Sequence, residues 1–312
     1  MFVLLACADP SDTGDSSDTG VPSVDLGDAF AASTLEAHVQ YLASEALAGR
    51  KAGSEGDLLG VQYIVDALDA AGFEPVGGAW EWPFVDSEGT NSVNVLGVRW
   101  GSDPDVGSEI VVVGSHHDHL GQRGSEIWPG ANDDASGVAV LLGLAEAFGG
   151  GAAPDRTLVL ASWGSEEVNI DGSRAYVDAP PAELPLADTV HYVNLDMVGT
   201  YEAYETLYAL DAVHGSVARQ VVNAAAADSP LVVDVRELGE LSDSESFCDV
   251  GVPDVFFFTE DPDCYHEPCD TADRLDYDDL AAVGSLVGQV VGSLTSASLD
   301  LATQRADGCP SL

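Results

Sequence analysis

The sequence predicts an α/β fold: a single globular domain with a mostly parallel central sheet and helices flanking both faces. Two observations carry this. Short apolar runs bounded by Glu, Gly or Asp alternate with longer helix-period segments, the pattern of strands joined by helical crossovers. No internal repeat or interdomain linker occurs after residue 30, so the 312 residues read as one large domain and not two average ones. With 46% apolar residues the chain can bury a full core.

Residues 34–72 predict two helices around a Gly-rich loop at 49–56, the second spacing Leu59, Tyr63, Ile64 and Leu68 at helical intervals and stopping before Gly72. A strand is expected over 93–98. The run at 110–113, four apolar residues between Glu109 and Gly114, reads as a strand buried on both faces. An apolar helix over 138–148, a strand over 157–162 and strands over 191–195 and 207–210 follow. A helix over 217–226, strands over 231–235 and 255–258, and an amphipathic helix over 280–293 close the domain.

Charge is the compositional outlier. Fifty-four Asp and Glu face ten Lys and Arg, a formal net charge of −44, and Lys51 is the only lysine. Such a surface repels phosphate backbones and anionic headgroups, so nucleic-acid binding and electrostatic membrane docking are excluded. Near-total replacement of Lys by Asp suits a salt-rich or divalent-rich habitat, where screening relieves self-repulsion. The expected partners are neutral, cationic or metallic, and the expected state is a monomer.

No stretch approaches the roughly 18 apolar residues of a membrane-spanning helix. Leu4-Leu5-Ala6-Cys7 resembles a bacterial lipobox, with Cys7 as the lipidated residue. Without a basic n-region and most of an h-region, residues 1–7 form an incomplete signal, and a start codon assigned too late would explain it. Residues 8–30, rich in Asp, Ser, Thr and Gly, read as a disordered acidic tether, 31–297 as the catalytic domain and 298–312 as a tail. Export to the cell envelope or medium follows, with membrane attachment only through Cys7. The remaining Cys248, Cys264, Cys269 and Cys309 allow three disulfide pairings. Cys264 to Cys269 is the shortest bridge and leaves Cys248 for Cys309. No CxxC argues for a zinc-thiolate cluster.

Open α/β sheets bind ligands beyond the carboxyl ends of their strands. After the 110–113 run comes Ser115-His116-His117-Asp118-His119; after 157–162 comes Glu166-Glu167; after Leu195 comes Asp196; after 255–258 a loop carries Tyr265-His266-Glu267. Gly130-Ala131-Asn132-Asp133-Asp134 opens the 138–148 helix. Singly, each is an ordinary surface acid or a satisfied core histidine. Together they would bury several carboxylates, which costs several kcal/mol per charge unless a cation is present. Imidazoles with carboxylates suit Zn²⁺, with Co²⁺ or Mn²⁺ as substitutes. Two ions sharing a carboxylate would activate a water between them.

These segments match, in order and spacing from about residue 36 to 293, a known family. The chain resembles the co-catalytic zinc aminopeptidases, which include secreted bacterial leucyl aminopeptidases, glutamate carboxypeptidase and the glutaminyl cyclases. GSHHDHLG resembles the His-x-Asp segment, implying His116 as a metal ligand and Asp118 as the carboxylate that orients it. PGANDDASGVA implies Asp133 as the bridging ligand, with a cis peptide bond between Asp133 and Asp134. SWGSEEVNIDGS implies Glu166 as general base and Glu167 as ligand, and VNLDMVG brings in Asp196. YHEPCDTADRLD supplies His266, and LSDSESF resembles a Ser-Asp motif at Ser242-Asp243.

The resemblance thus implies two Zn²⁺, one on His116, Asp133 and Asp196 and the other on Asp133, Glu167 and His266. It implies removal of N-terminal residues from peptides with a free N-terminus. Carboxypeptidase or glutaminyl cyclase activity is the enzymatic alternative, and a surface lipoprotein that binds peptide or metal without catalysis is the other. There are departures. His117 stands where Tyr or Leu is common and reads as a packed or solvated histidine; His119 follows a family variant and reads as an outer partner or an exposed residue. Gly239-Glu240-Leu241 replaces a tyrosine that some members carry, and residues 79–108 are too few for the inserted domain of some relatives.

Overall fold

The computed structural model describes residues 24–210, 216–236 and 242–304. Cys7 and Cys309, and with them the expected lipidation site and second disulfide, lie outside the described residues. Helices α1 (Ala32–Leu42) and α2 (Glu55–Ala71) come first. Ser54 Oγ accepts the Asp57 N–H to cap α2, and Gly72 ends it at φ 95°, a conformation a Cβ would oppose. An antiparallel edge follows, formed by β1 (Glu74–Pro75), β2 (Glu81–Val85) and β3 (Asn91–Arg99).

Next come β4 (Ile110–His116), the hairpin β5 (Gly121–Arg123) and β6 (Glu126–Trp128), an irregular turn over Ala131–Ser136, and α3 (Gly137–Gly149). Then β7 (Thr157–Trp163), α4 (Asp171–Asp178), β8 (Thr189–Leu195), α5 (Tyr201–Tyr204) and β9 (Leu207–Leu210) lead to α6 (Val217–Ala227). The chain closes with β10 (Val233–Arg236), α7 (Ser244–Cys248), β11 (Asp254–Phe258) and α8 (Tyr277–Leu294).

Among the described residues the main sheet runs β1-β3-β7-β4-β8-β11-β9-β10, with β2 also on β3. Its central block β7-β4-β8-β11 is parallel, and β3 and β9 join it antiparallel on either side. The chemistry of β4 explains its central place. Every residue of Ile110–His116 is buried, and successive side chains go to opposite faces: Val111 and Val113 into one core, Ile110 and Val112 into the other.

The larger core joins the sheet to α1, α2, α3, α6 and α8, and the smaller one packs Trp163, Tyr176, Tyr192 and Phe247 beneath α4 and α7. Of residues 24–30, placed by composition in the tether, Ala29 and Phe30 are buried and Val24 and Leu26 partly so. Phe30 is 5% exposed and sits where Cβ atoms on Gly143 of α3 and Gly284 of α8 would intrude. Val24 exchanges two hydrogen bonds with the Gln289 amide. In the expected tail, Leu301 is buried and Gln304 accepts the Val217 N–H. Cys264 and Cys269 are disulfide-bonded.

Candidate metal centre

The four parallel strands end on one edge, and that edge gathers the His and carboxylate residues. His116 ends β4, Glu166 and Glu167 follow β7, Asp196 follows β8, and His266 lies in the loop after β11. Asp133 comes from the irregular turn that feeds α3. The turn is held by acceptors on other segments. Asp270 accepts the N–H groups of Asn132 and Asp133 at 2.8 and 3.1 Å. The buried Asp134 carboxylate accepts from Ser115 Oγ and from the N–H groups of His116, Gly137 and Met197, so it ties the ends of β4 and β8 to the start of α3. The Asp133–Asp134 peptide bond is cis.

Beneath this lies Arg50, fully buried at φ 47°. Its guanidinium donates to the carbonyls of Leu42, His117, Pro129 and Gly130. It therefore fixes both the His116–His119 segment and the approach to Asp133. Four non-glycine residues at the edge, Ser165, Met197, Ser242 and His266, have positive φ, a concentration of unfavourable backbone expected where a site and not the fold sets geometry.

Two donor groups meet at Asp133. His116 Nε2 lies 3.1 Å from Asp133 Oδ1, 3.6 Å from Asp196 Oδ1 and 4.0 Å from Glu166 Oε2. On the other side His266 Nε2 lies 3.2 Å from Asp133 Oδ2 and 3.1 Å from Glu167 Oε2. His119 is buried here as well, its Nδ1 2.7 Å from Glu167 Oε1, which excludes the exposed one of its two expected readings. Adjacent Glu166 and Glu167 point apart, the first toward His116 and the second toward the other two imidazoles.

Asp118 differs from the contact the resemblance implies. Its Oδ1 stands 3.8 Å from His116 Nδ1, which instead meets the Asp118 main-chain carbonyl at 3.0 Å. The Asp118 carboxylate accepts the N–H groups of Glu166 and Glu167 at 2.9 and 3.4 Å. His117 packs behind the site between Asp57 and Ser162, and burial holds its pKa down at about 4, so it is neutral. Asp243 is buried nearby, pushed up to about 7 by burial, with His116 opposing and Asp196 and Asp118 adding.

The charges demand a cation. Burial and then the neighbouring carboxylates Asp196 and Asp243 lift Glu166 well above the usual range, with His116 opposing. The carboxylates of Asp133 and Glu167 raise the His266 imidazole to about 10. Among the described residues, His116 Nε2, His119 Nδ1, Asp133 Oδ2 and Glu167 Oε1 are buried without a hydrogen-bond partner. Unpaired polar atoms of this kind are costly, and divalent ions would satisfy all four. One donor atom each from His116, Asp133 and Asp196, and likewise from His119, Asp133 and Glu167, lies within 4.8 Å of the others in its group. The donor set is that of zinc, with Asp133 common to both groups.

A cavity of about 420 Å³ opens beside the edge, bordered by Glu166, Asp196, Met197, Phe256, Phe258 and Tyr265. Tyr265 is half exposed and stacks on His266 with ring centroids 3.9 Å apart. Arg50 and Asp270 were not foreseen from the sequence as parts of this site, and His119 was foreseen only as an outer partner or an exposed residue. Arg50 and Asp270 left no signal in the sequence, since both act through main-chain groups.

Peptidase family M28 matches residues 94–291. Leupeptin-inactivating enzyme 1 of Streptomyces exfoliatus is 31% identical over 170 residues, 53% of this chain and 36% of that protein. Aminopeptidase YwaD of Bacillus subtilis is 29% identical over 212 residues, 64% of this chain and 44% of that protein. The chain thus spans less than half the length of either relative. BSAP, a zinc aminopeptidase from Bacillus subtilis, shares the fold with a TM-score of 0.71 at 17% identity, over 90% of this chain and 98% of that one.

Proposed function

Because the chain belongs to peptidase family M28, we propose that it is a zinc-dependent exopeptidase that removes N-terminal residues from peptides. The observation that carries the reading is the sharing of Asp133 between two groups of His and carboxylate donors, in which His116 Nε2, His119 Nδ1, Asp133 Oδ2 and Glu167 Oε1 are buried and unpaired. In this reading one ion is held by His116, Asp133 and Asp196 and the other by Asp133, Glu167 and His266. Bound there, the ions would acidify a water and polarise the scissile carbonyl.

The chain's own residues do the rest. Glu166 is the general base: a carboxylate Oε takes the proton from the attacking water as the C–O bond forms, then delivers it to the leaving amine as the C–N bond breaks. Asp118 positions Glu166 and Glu167 together through their N–H groups. The substrate's cationic N-terminus suits the acidic edge, and Met197, Phe256 and Phe258 offer an apolar side-chain subsite. A disulfide between Cys264 and Cys269 fits an exported enzyme. Export as a monomer, with Cys7 as an anchor, completes the reading.

Release of p-nitroaniline from a panel of aminoacyl-p-nitroanilides tests it. Turnover should vanish on chelation and return with Zn²⁺, and Glu166→Gln should keep both metals while losing about 10²- to 10⁴-fold in kcat. Activity that survives chelation or Glu166→Gln sinks the mechanism. Cleavage confined to N-blocked peptides with a free C-terminus would instead make the enzyme a carboxypeptidase.

A further inference from the structure

The second donor group holds one imidazole more than the family resemblance supplies. His119 is 1% exposed, and both its ring nitrogens lack a hydrogen-bond partner. Nδ1 lies 2.7 Å from Glu167 Oε1 and 3.7 Å from Asp133 Oδ2. At 2.7 Å Nδ1 and Oε1 are close enough for a short hydrogen bond, yet neither atom has a hydrogen-bond partner of acceptable geometry. Two donors that converge without bonding to each other are arranged for a common cation.

The ring has little freedom to do anything else. The His119 N–H donates to the Arg50 carbonyl, and the ring lies against Gly130, where an added Cβ would come within 2.6 Å of its Cγ. On its open side it meets the His266 ring edge-on, centroids 5.8 Å apart. A glycine at position 130 is therefore what admits the imidazole, and the buried arginine network sets its height.

We propose that His119 Nδ1 is a further ligand of the ion held by Asp133, Glu167 and His266. The inference rests on the two-ion reading above. It makes the two positions chemically unequal: one imidazole and two carboxylates around the His116 ion, two imidazoles and two carboxylates around the other. Added imidazole favours zinc and cobalt over the hard cations that carboxylates alone would accept. The two-imidazole position therefore fills first and releases its ion last.

The experiment counts imidazoles and affinities, not turnover. Metal-free protein is titrated with Zn²⁺ against a chromophoric chelator, and Co²⁺-loaded wild type is analysed by X-ray absorption and pulsed EPR for ligating nitrogens. Wild type should bind two equivalents in separate steps, with three imidazole nitrogens shared by the two ions. His119→Ala should weaken the tighter step at least about tenfold, the size of loss that even outer partners cause, and leave two imidazoles. A wild-type count of two overturns the proposal, because a mere hydrogen bond from His119 to Glu167 would lower affinity without adding a nitrogen. Unchanged steps in His119→Ala overturn it too. If wild type binds no second equivalent, the two-ion reading itself fails, which is a different result. Should His119→Ala not fold, the wild-type count still decides.

Discussion

Asp118 governs two neighbours with one carboxylate, since its oxygens take the N–H groups of Glu166 and Glu167. Its loss would free the proposed base and a proposed ligand together. Asp118→Ala should therefore lower kcat and also weaken Zn²⁺ binding by about 10- to 100-fold, as read by nitroanilide kinetics and chelator competition. A fall in kcat alone, with metal affinity intact, would mean that Glu167 is held by other means. Arg50 works on the main chain. With its guanidinium gone, the carbonyls of Leu42, His117, Pro129 and Gly130 would be left in a dry interior. At about 1–3 kcal/mol for each unsatisfied group, partly relieved by water, Arg50→Met should cost at least about 3 kcal/mol in urea unfolding.

Between β4 and α3 the chain packs backbone against carboxylate, and glycine is the only residue that fits. A Cβ on Gly137 would stand 2.5 Å from Asp134 Oδ1 and 2.6 Å from the Leu195 carbonyl. Gly137→Ala must move the Asp134 carboxylate that holds β4, β8 and α3 together, so it should lower both thermal stability and zinc affinity, checked by calorimetry and competition titration. The parallel block was legible because β4 and β7 are buried on both faces and read as uninterrupted apolar runs. β2 was not: Pro83 interrupts its pattern, and the strand is tolerated because it sits on the edge of the sheet, where among the described residues it pairs with β3 alone. Candidate ligands were legible from residue type and spacing. The irregular turn at 131–136 and the positive φ of Ser165, Met197 and His266 were not, because acceptors such as Asp270 and Asp134, remote in sequence, decide them. His119 was legible as a histidine, but its burial depends on Gly130 and Arg50 together.

At the scale of the molecule a net charge of −44 is spread outside a small, cation-demanding centre. Screening shortens from about 10 Å at 0.1 M salt to about 3 Å at 1 M, so the thermal midpoint should rise over that range. A midpoint that falls or stays flat would refute a self-repelling coat. Chelation acts locally instead: ions present at 100 to 1,000 times their Kd add about 3–4 kcal/mol each, which EDTA should remove as a lower Tm even in high salt. The first described residues add a matter of orientation. α3 runs from Gly137 beside the metal centre to its far end, where Phe148 and Val24 both overlie Gly292. From Gly137 to Phe148 is about 17 Å of helix. Val24, the first described residue, thus sits at the pole remote from the cleft. A molecule moored from that pole would hold its mouth outward, and an arriving peptide would not have to pass beneath the body to reach it.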